Sequence, residues 1–382
     1  MASSAPAGSA GPSQQPYSNE APLVLRSVAD VRAWRNQVRQ ASASSSSSSA
    51  VPTIGFVPTM GALHAGHLSL VQASLAENDY TVVSIFVNPA QFAPHEDLDA
   101  YPRTLESDME KLHTLSSAAA DGKRRQVDLV FAPTVSEMYP NGFTQKVEDQ
   151  VGAFVEIRGL ADEMEGKSRP GFFRGVATVV SKLFHIVQPD HAYFGQKDIQ
   201  QSIILRRLLS DLIFAFPPSP SHLKVLPTGR DPTDGLALSS RNAYLTPRAR
   251  KVAPVLYRAL REAERVFEQL TTSSSTPLSS EKDSRRIIEQ TLQAARQFVL
   301  DQARECSTET GMNSDAERIH LHLDYITLND PSSLADLERE LEKGKSVDLS
   351  RGAILSGAAL IHEGEQGRTT RLIDNILLGF EL

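Results

Sequence analysis

The sequence predicts an α/β protein built on a doubly wound parallel sheet, with a smaller α+β domain after it. Two observations carry the first part. Short, mainly apolar runs at Ile54–Val57, Val82–Val87, Val127–Phe131 and Ala192–Phe194 read as strands buried on both faces. Amphipathic stretches at Val28–Gln40, Leu68–Ala76, Leu105–Leu115 and Val176–Val187 alternate with them and read as covering helices, the last with Lys182 on its polar side. A third observation marks a change of texture. Past Asp234-Gly235 the helices come first and the strands after. Thr246-Pro247 supplies an N-cap and a proline at the first helical position, opening a helix to about Leu270. A second helix covers roughly Glu281 to Arg304, and strands follow at Ile319–Leu328 and Ala353–Ile361. The Pro/Gly/Asp-rich stretch 229–234 marks the boundary. The expected division is a disordered tail over 1–22, a sheet domain over 23–230 and an α+β domain over 231–382.

Composition narrows the functional class. The chain has 382 residues, a net charge of −7, 40% hydrophobic and 22% charged residues, enough apolar material for more than one core. No run approaches 18 apolar residues, so no membrane span is expected. The acidic balance argues against non-specific nucleic-acid binding, which rests on Lys and Arg neutralising phosphates. Cys306 is the only cysteine, which excludes an intramolecular disulfide and a cysteine-rich zinc site. The N-terminal stretch has neither an apolar signal core nor an arginine before Arg26, so the cytoplasm is the expected compartment. Serine-rich patches at Ser44–Ser49, Ser116–Arg125, Thr271–Ser280 and Ser307–Ser314 read as surface insertions.

The chemistry concentrates in segments that directly follow strands. Gly55-Phe-Val-Pro-Thr-Met-Gly-Ala-Leu-His-Ala-Gly-His67 runs from a strand through a Gly-punctuated turn into a helix. A helix start offers unpaired N–H groups and the positive end of the helix dipole, which attract phosphate. His64 and His67, three residues apart, share one face of the first turn and add imidazole donors. The plainer reading makes one a helix cap and the other a core histidine. Gly61 and Gly66, which permit close backbone approach, favour the ligand reading. No carboxylate or thiol stands nearby at ligand spacing, so a metal pair is disfavoured.

Asn88-Pro-Ala-Gln91 and Gly195-Gln-Lys-Asp198 also follow strands, and ligands in such sheets sit at the strands' carboxyl ends. The Gln91 amide suits a carboxylate or hydroxyl, Lys197 a phosphate and Asp198 a ribose hydroxyl, with Gln201 on the face of Asp198. Farther on, Leu238-Ser-Ser-Arg241 sets two hydroxyls beside a guanidinium, a combination suited to phosphate oxygens and developing negative charge. A surface Lys–Asp pair and an ordinary capped turn are the plainer readings of the last two segments.

Taken together, these segments resemble the pantothenate synthetase (pantoate–β-alanine ligase) family. The matching strings include Val57–His67, Val83–Pro89, Gln91-Phe92, Tyr101-Pro-Arg-Thr104, Arg169-Pro-Gly171, Phe194–Asp198, Gln200-Gln201, Asp234–Asn242 and Arg371-Leu-Ile-Asp-Asn375. The resemblance implies a Rossmann-like fold of the HxGH nucleotidylyltransferase type with a C-terminal lid, usually as a homodimer. It implies condensation of pantoate with β-alanine at the expense of ATP with Mg²⁺, through a pantoyl adenylate, releasing AMP and pyrophosphate.

Carried over by motif, the ATP site comprises Met60, Gly61, Ala62, Leu63, His64, Ala65, Gly66 and His67, then Gly195, Gln196, Lys197 and Asp198, then Gly229, Leu238, Ser239, Ser240 and Arg241. His67, His64, Lys197 and Arg241 take the catalytic roles. Gln91, Gln201 and Met60 bind pantoate, with Gln91 near β-alanine, and Asp108 matches a position near the magnesium. The chain departs from the family at Gln196, commonly Glu, at Phe172, frequently His, and by an extra residue within Arg230–Asp234. Two other readings stay open at this point: another HxGH nucleotidylyltransferase that stops at an adenylylated product, and an inactive homologue acting as a binding protein.

Overall fold

A computed structural model of the chain describes residues 21–44, 51–92, 98–118, 122, 124–272, 281–308, 318–364 and 367–382. The expected tail and most of the serine-rich insertions lie outside these residues. The Ser116–Arg125 insertion is the exception in part: Ser117–Ala118 and Arg124–Arg125 pair as a small antiparallel ladder.

The larger sheet contains six parallel strands. In chain order they are β1 (Leu23–Leu25), β2 (Ile54–Thr59), β3 (Tyr80–Ile85), β4 (Leu129–Phe131), β5 (His191–Gly195) and β6 (Leu223–Leu226). Their spatial order is β1-β4-β3-β2-β5-β6. The winding reverses between β2 and β5, which pair through Gly55 with His191 and Phe56 with Ala192. A crevice opens at such a reversal, at the strands' carboxyl ends. Here it lies between the turn after Thr59 and the turn after Phe194.

The central strands are mainly apolar because both faces are covered. Phe56, Val82, Leu129 and Phe131 pack on one side with Val180, Phe184 and Leu205. Their neighbours Val57, Val83 and Val130 pack on the other with Val71, Leu75 and Leu112. Adjacent residues of a strand point to opposite faces, so a doubly covered sheet requires continuous apolar runs. The covering helices are α1 (Val28–Ser44), α2 (Ala65–Glu77), α3 (Leu105–Thr114), α4 (Phe172–Val187) and α5 (Ile199–Asp211).

The segment expected as one helix to Leu270 is two: α6 (Pro247–Val252) and α7 (Val255–Thr272). Pro254 breaks it, since proline has no N–H for the ladder and its ring crowds the preceding turn. Thr246 does cap the start, its hydroxyl accepting from the Ala249 N–H. The helix α8 (Glu281–Thr308) packs along α7, and both cover an antiparallel sheet of β7 (Ile319–Asn329), β8 (Ala353–Glu363) and β9 (Thr369–Leu378), with β8 in the middle. The strands β1, β6 and β9 were not expected from the sequence. A fourth apolar cluster joins the two units, with Met164, Ile199 and Ile203 against Leu334 and Ile354.

Candidate active site

The β2–α2 turn is built around a buried carboxylate. Gly61 takes φ +87°, a left-handed conformation, and Ala62 follows at +50°. This aims two successive N–H groups at Asp108: Ala62 N donates to Oδ2 at 2.9 Å and Leu63 N to Oδ1 at 2.7 Å. The Thr104 hydroxyl adds a third donor at 3.1 Å, and Lys111 Nζ lies 3.7 Å away while donating to the Leu63 carbonyl at 2.8 Å. Asp108 is wholly buried. Asp108, expected near the magnesium, thus accepts three hydrogen bonds and braces the turn. Among the described residues no group of three or more His, Cys, Asp or Glu is placed to hold a metal ion. Ala62 and Leu63, expected at the nucleotide, spend their N–H groups on this clamp, and the Leu63 side chain is buried in the core. Met60 stands half-buried just before it, and Ala65 is exposed at the first turn of α2.

His64 is the N-cap of α2. Its Nδ1 accepts from the Gly66 N–H at 3.2 Å, so in the neutral ring Nε2 carries the proton. His67 stacks on it, ring centroids 4.0 Å apart, and its Nδ1 is buried without a partner. Burial lowers the His64 pKa to about 4, with the Lys197 charge adding to it. Burial and the neighbouring His64 lower the His67 pKa to about 3. Both rings are therefore neutral donors at neutral pH. Lys197 and Lys111 act on both, which places the ammonium groups around the histidine corner.

The remaining segments converge on that corner. A Cβ added to Gly229 would lie 3.1 Å from Gly66 Cα and 3.5 Å from the Leu238 side chain. The Gly229 carbonyl also accepts from the Leu238 N–H at 2.8 Å. Lys197 and Arg241 line the same two clefts: one of about 370 Å³ with Ser239, and one of about 510 Å³ with Asp198 and Gln201. Gly195 closes β5, and Lys197 Nζ lies 3.5 Å from Asp198. Ser240 and Arg241 meet Tyr101, whose phenol burial pushes upward in pKa while the Ser240 hydrogen bond and the Arg241 charge pull it down.

Gln91 follows β3 in a short turn capped by Asn88. Asn88 Nδ2 donates to Gln91 Oε1 at 3.0 Å and Tyr139 holds the Asn88 Oδ1 at 2.7 Å. The fixed Oε1 leaves the Gln91 Nε2 as the end for a ligand. Gln91 and Gln201 do not line one cleft. Gln91 lines a third, of about 710 Å³, whose shared wall with the Gln201 cleft is Arg169 and Phe172. The Arg169 guanidinium lies 3.8 Å from the Phe172 ring centroid and donates to the Gln91 carbonyl at 2.9 Å. Gln200, beside Gln201, is a structural residue: its amide bonds the backbones of Leu160, Glu163 and Glu165.

Sequence reasoning gave no role to Lys111, Tyr101, Arg230 or Asn375, all of which touch the segments above. Tyr101 and Asn375 stood within matched strings, but nothing in their local spacing marked a partner more than a hundred residues away.

Comparison with known proteins agrees with this geometry. The family model for pantoate–β-alanine ligase matches residues 23–377. The pantoate–β-alanine ligase of Saccharomyces cerevisiae is 42% identical over 327 residues, 85% of this chain and 92% of that protein. A pantothenate synthetase of Acidobacterium capsulatum is 42% identical over 327 residues, 86% of each chain. The crystal structure of pantothenate synthetase from Thermus thermophilus superposes with a TM-score of 0.65 at 37% identity, over 93% of this chain and 98% of that one. Matched by the family model over nearly its whole length and 42% identical to these two relatives, the chain belongs to the pantoate–β-alanine ligase family.

Proposed function

We propose that the chain condenses pantoate with β-alanine through a pantoyl adenylate formed and consumed at the crevice between β2 and β5. The observation that carries this reading is that Lys197 lines two clefts together with Arg241 and its charge also acts on the neutral His64–His67 pair. A related structure from Francisella tularensis, 29% identical with a TM-score of 0.57, is a complex with β-γ ATP and β-alanine, which supports both ligands here.

The pantoate carboxylate is ionised at neutral pH, a carboxyl pKa being about 4, and needs no base to attack the α-phosphorus of ATP. Its oxygen forms the new P–O bond as the bond to pyrophosphate breaks. The site's task is alignment and neutralisation of charge on the phosphoryl oxygens and the leaving pyrophosphate. Lys197, Arg241, Ser239 and Ser240 supply charge and hydroxyl donors, and His64 and His67 act as neutral N–H donors. Asp198 meets the ribose, and Gly66, Gly229 and Leu238 wall the nucleotide. Gln201 and Gln91 hold pantoate. The β-alanine amine then attacks the acyl carbon, expelling AMP. β-Alanine attacks as the free amine, and the proton lost on forming the amide ends in the solvent. Mg²⁺ belongs to this reading only as the ion that accompanies ATP phosphates, and no residue of the chain is assigned to it.

In the same reading residues 23–230 hold ATP and pantoate, 231–382 form the lid, and the protein works as a cytoplasmic homodimer. Among the described residues no helix is long and apolar enough to cross a membrane. The test is AMP release that requires both pantoate and β-alanine, with pantothenate identified by mass. An adenylylated compound that accumulates over many turnovers with β-alanine present, and no pantothenate, would instead assign the chain to nucleotidylyl transfer alone.

A further inference from the structure

The turn that carries Lys197 is held from outside its own domain. Asn375, on β9 and 1% exposed, sends its side-chain amide between the two units. Nδ2 donates to the carbonyl of Gln196 at 3.0 Å and to that of Lys197 at 2.9 Å. Oδ1 accepts from Gln196 Nε2 at 3.3 Å. Both amide hydrogens are thereby used, and a flipped amide would face its oxygen toward two carbonyl oxygens, so the orientation is fixed. The preceding residue does the same for the other wall of the site. The Asp374 carboxylate binds the Arg230 guanidinium at 2.6 and 2.9 Å, next to Gly229, and accepts from the Asn375 N–H at 2.8 Å. Arg230 is held further by the Tyr257 ring, 4.0 Å away, and by the Gly235 carbonyl at 3.1 Å.

We propose that Asn375 is a positioning residue for the nucleotide phosphates: it fixes the backbone of the Gln196–Lys197 turn, so that Lys197 is aimed only while the C-terminal sheet is seated. Asn375 lines the cleft of Gln201 with its amide already bonded to the turn, and acts through Lys197. The inference rests on the reading of Lys197 as a phosphate ligand.

A double-mutant cycle on ATP affinity tests it by calorimetry, without needing turnover. Asn375→Ser removes the clamp without burying a charge and is expected to weaken ATP about tenfold, the scale of losing hydrogen bonds that order a site. In a Lys197→Ala background the same change is expected to cost under about twofold, because the residue through which it acts is gone. Pantoate affinity stays unchanged. An ATP affinity within twofold of wild type, or an equal loss in both backgrounds, would overturn the proposal. Should Asn375→Ser lose its cooperative melting transition, Asn375→Asp takes its place, keeping the shape while facing oxygen to both carbonyls, with the same expectation. AMP release by the wild type separates the two ideas. A wild type that binds ATP with a non-additive cycle but makes no pantothenate removes the ligase reading and leaves the clamp. An active wild type with an additive cycle does the reverse.

Discussion

At the residue scale, the His64–His67 pair shows how burial assigns a chemical role. Two stacked imidazoles among the charges of Lys111 and Lys197 stay neutral, with values near 4 and 3 against an ordinary 6.5. The folded state therefore binds fewer protons than the unfolded chain between about pH 6.5 and 3. Stability from this source is complete above pH 6.5 and falls as acid is added through that window. At pH 6 both rings should give neutral-imidazole shifts by NMR, and a protonated signal from either would contradict the placement. A bound triphosphate favours the charged rings, so ATP binding at pH 5 should take up protons, measurable from the buffer dependence of the calorimetric heat. His67→Ala and Lys197→Ala should each slow adenylate formation by about 10²-fold, the scale of one lost transition-state donor. Near wild-type single-turnover rates in both would remove these roles.

At the element scale, the β2–α2 turn depends on α3. Asp108 supplies both acceptors for the left-handed turn, and Lys111, one helical turn on, anchors the Leu63 carbonyl. Asp108→Ala should lower stability by about 1–3 kcal/mol, the cost of leaving buried N–H groups unpaired, and should raise the KM for ATP while leaving the Mg²⁺ dependence at fixed ATP unchanged. A selective loss of Mg²⁺ response would instead place this residue near the metal. The central strands and the histidine turn were legible in sequence because burial on both faces writes a continuous apolar run and the turn's chemistry is local. The clamp was not, since Asp108 and its N–H partners lie 45 and 46 positions apart and such side-chain-to-backbone bonds leave no periodicity. Pro254 was visible, yet the apolar stripe carried on past it and masked the break between α6 and α7. The edge strands β1 and β6, of three and four residues, are too short for alternation to register.

At the scale of the whole molecule, charged groups latch the two units. Arg371 on β9 grips Glu165 at 2.6 and 2.9 Å, Tyr325 on β7 donates to the same carboxylate at 2.8 Å, and Asp324 shares the guanidinium at 2.9 Å. Burial alone would raise the Glu165 pKa, but Arg371 and Tyr325 outweigh it and hold the value below the ordinary 4.5. A carboxyl lowered in the folded state contributes stability above pH 4.5 and loses it as pH falls through its folded value. Glu165→Gln, keeping size but not charge, should cost about 2 kcal/mol, the scale of hydrogen bonds to a charged partner, and flatten the acid limb of stability below pH 4.5. An unaltered acid limb in chemical denaturation would show that the latch carries no such weight. Residues 165 and 371 stand in separate halves of the chain, so only the folded structure joins them.

The bonds from Asn375 to Gln196 and Lys197 also bear on synthesis. In the reading proposed above, a ribosome has translated every nucleotide-facing motif once it passes Arg241. The lysine-bearing turn acquires its partner only after β9 has left the exit tunnel. A product released early, at a premature stop before Thr369, would hold the whole motif set and still lack the bonds that fix the Lys197 turn.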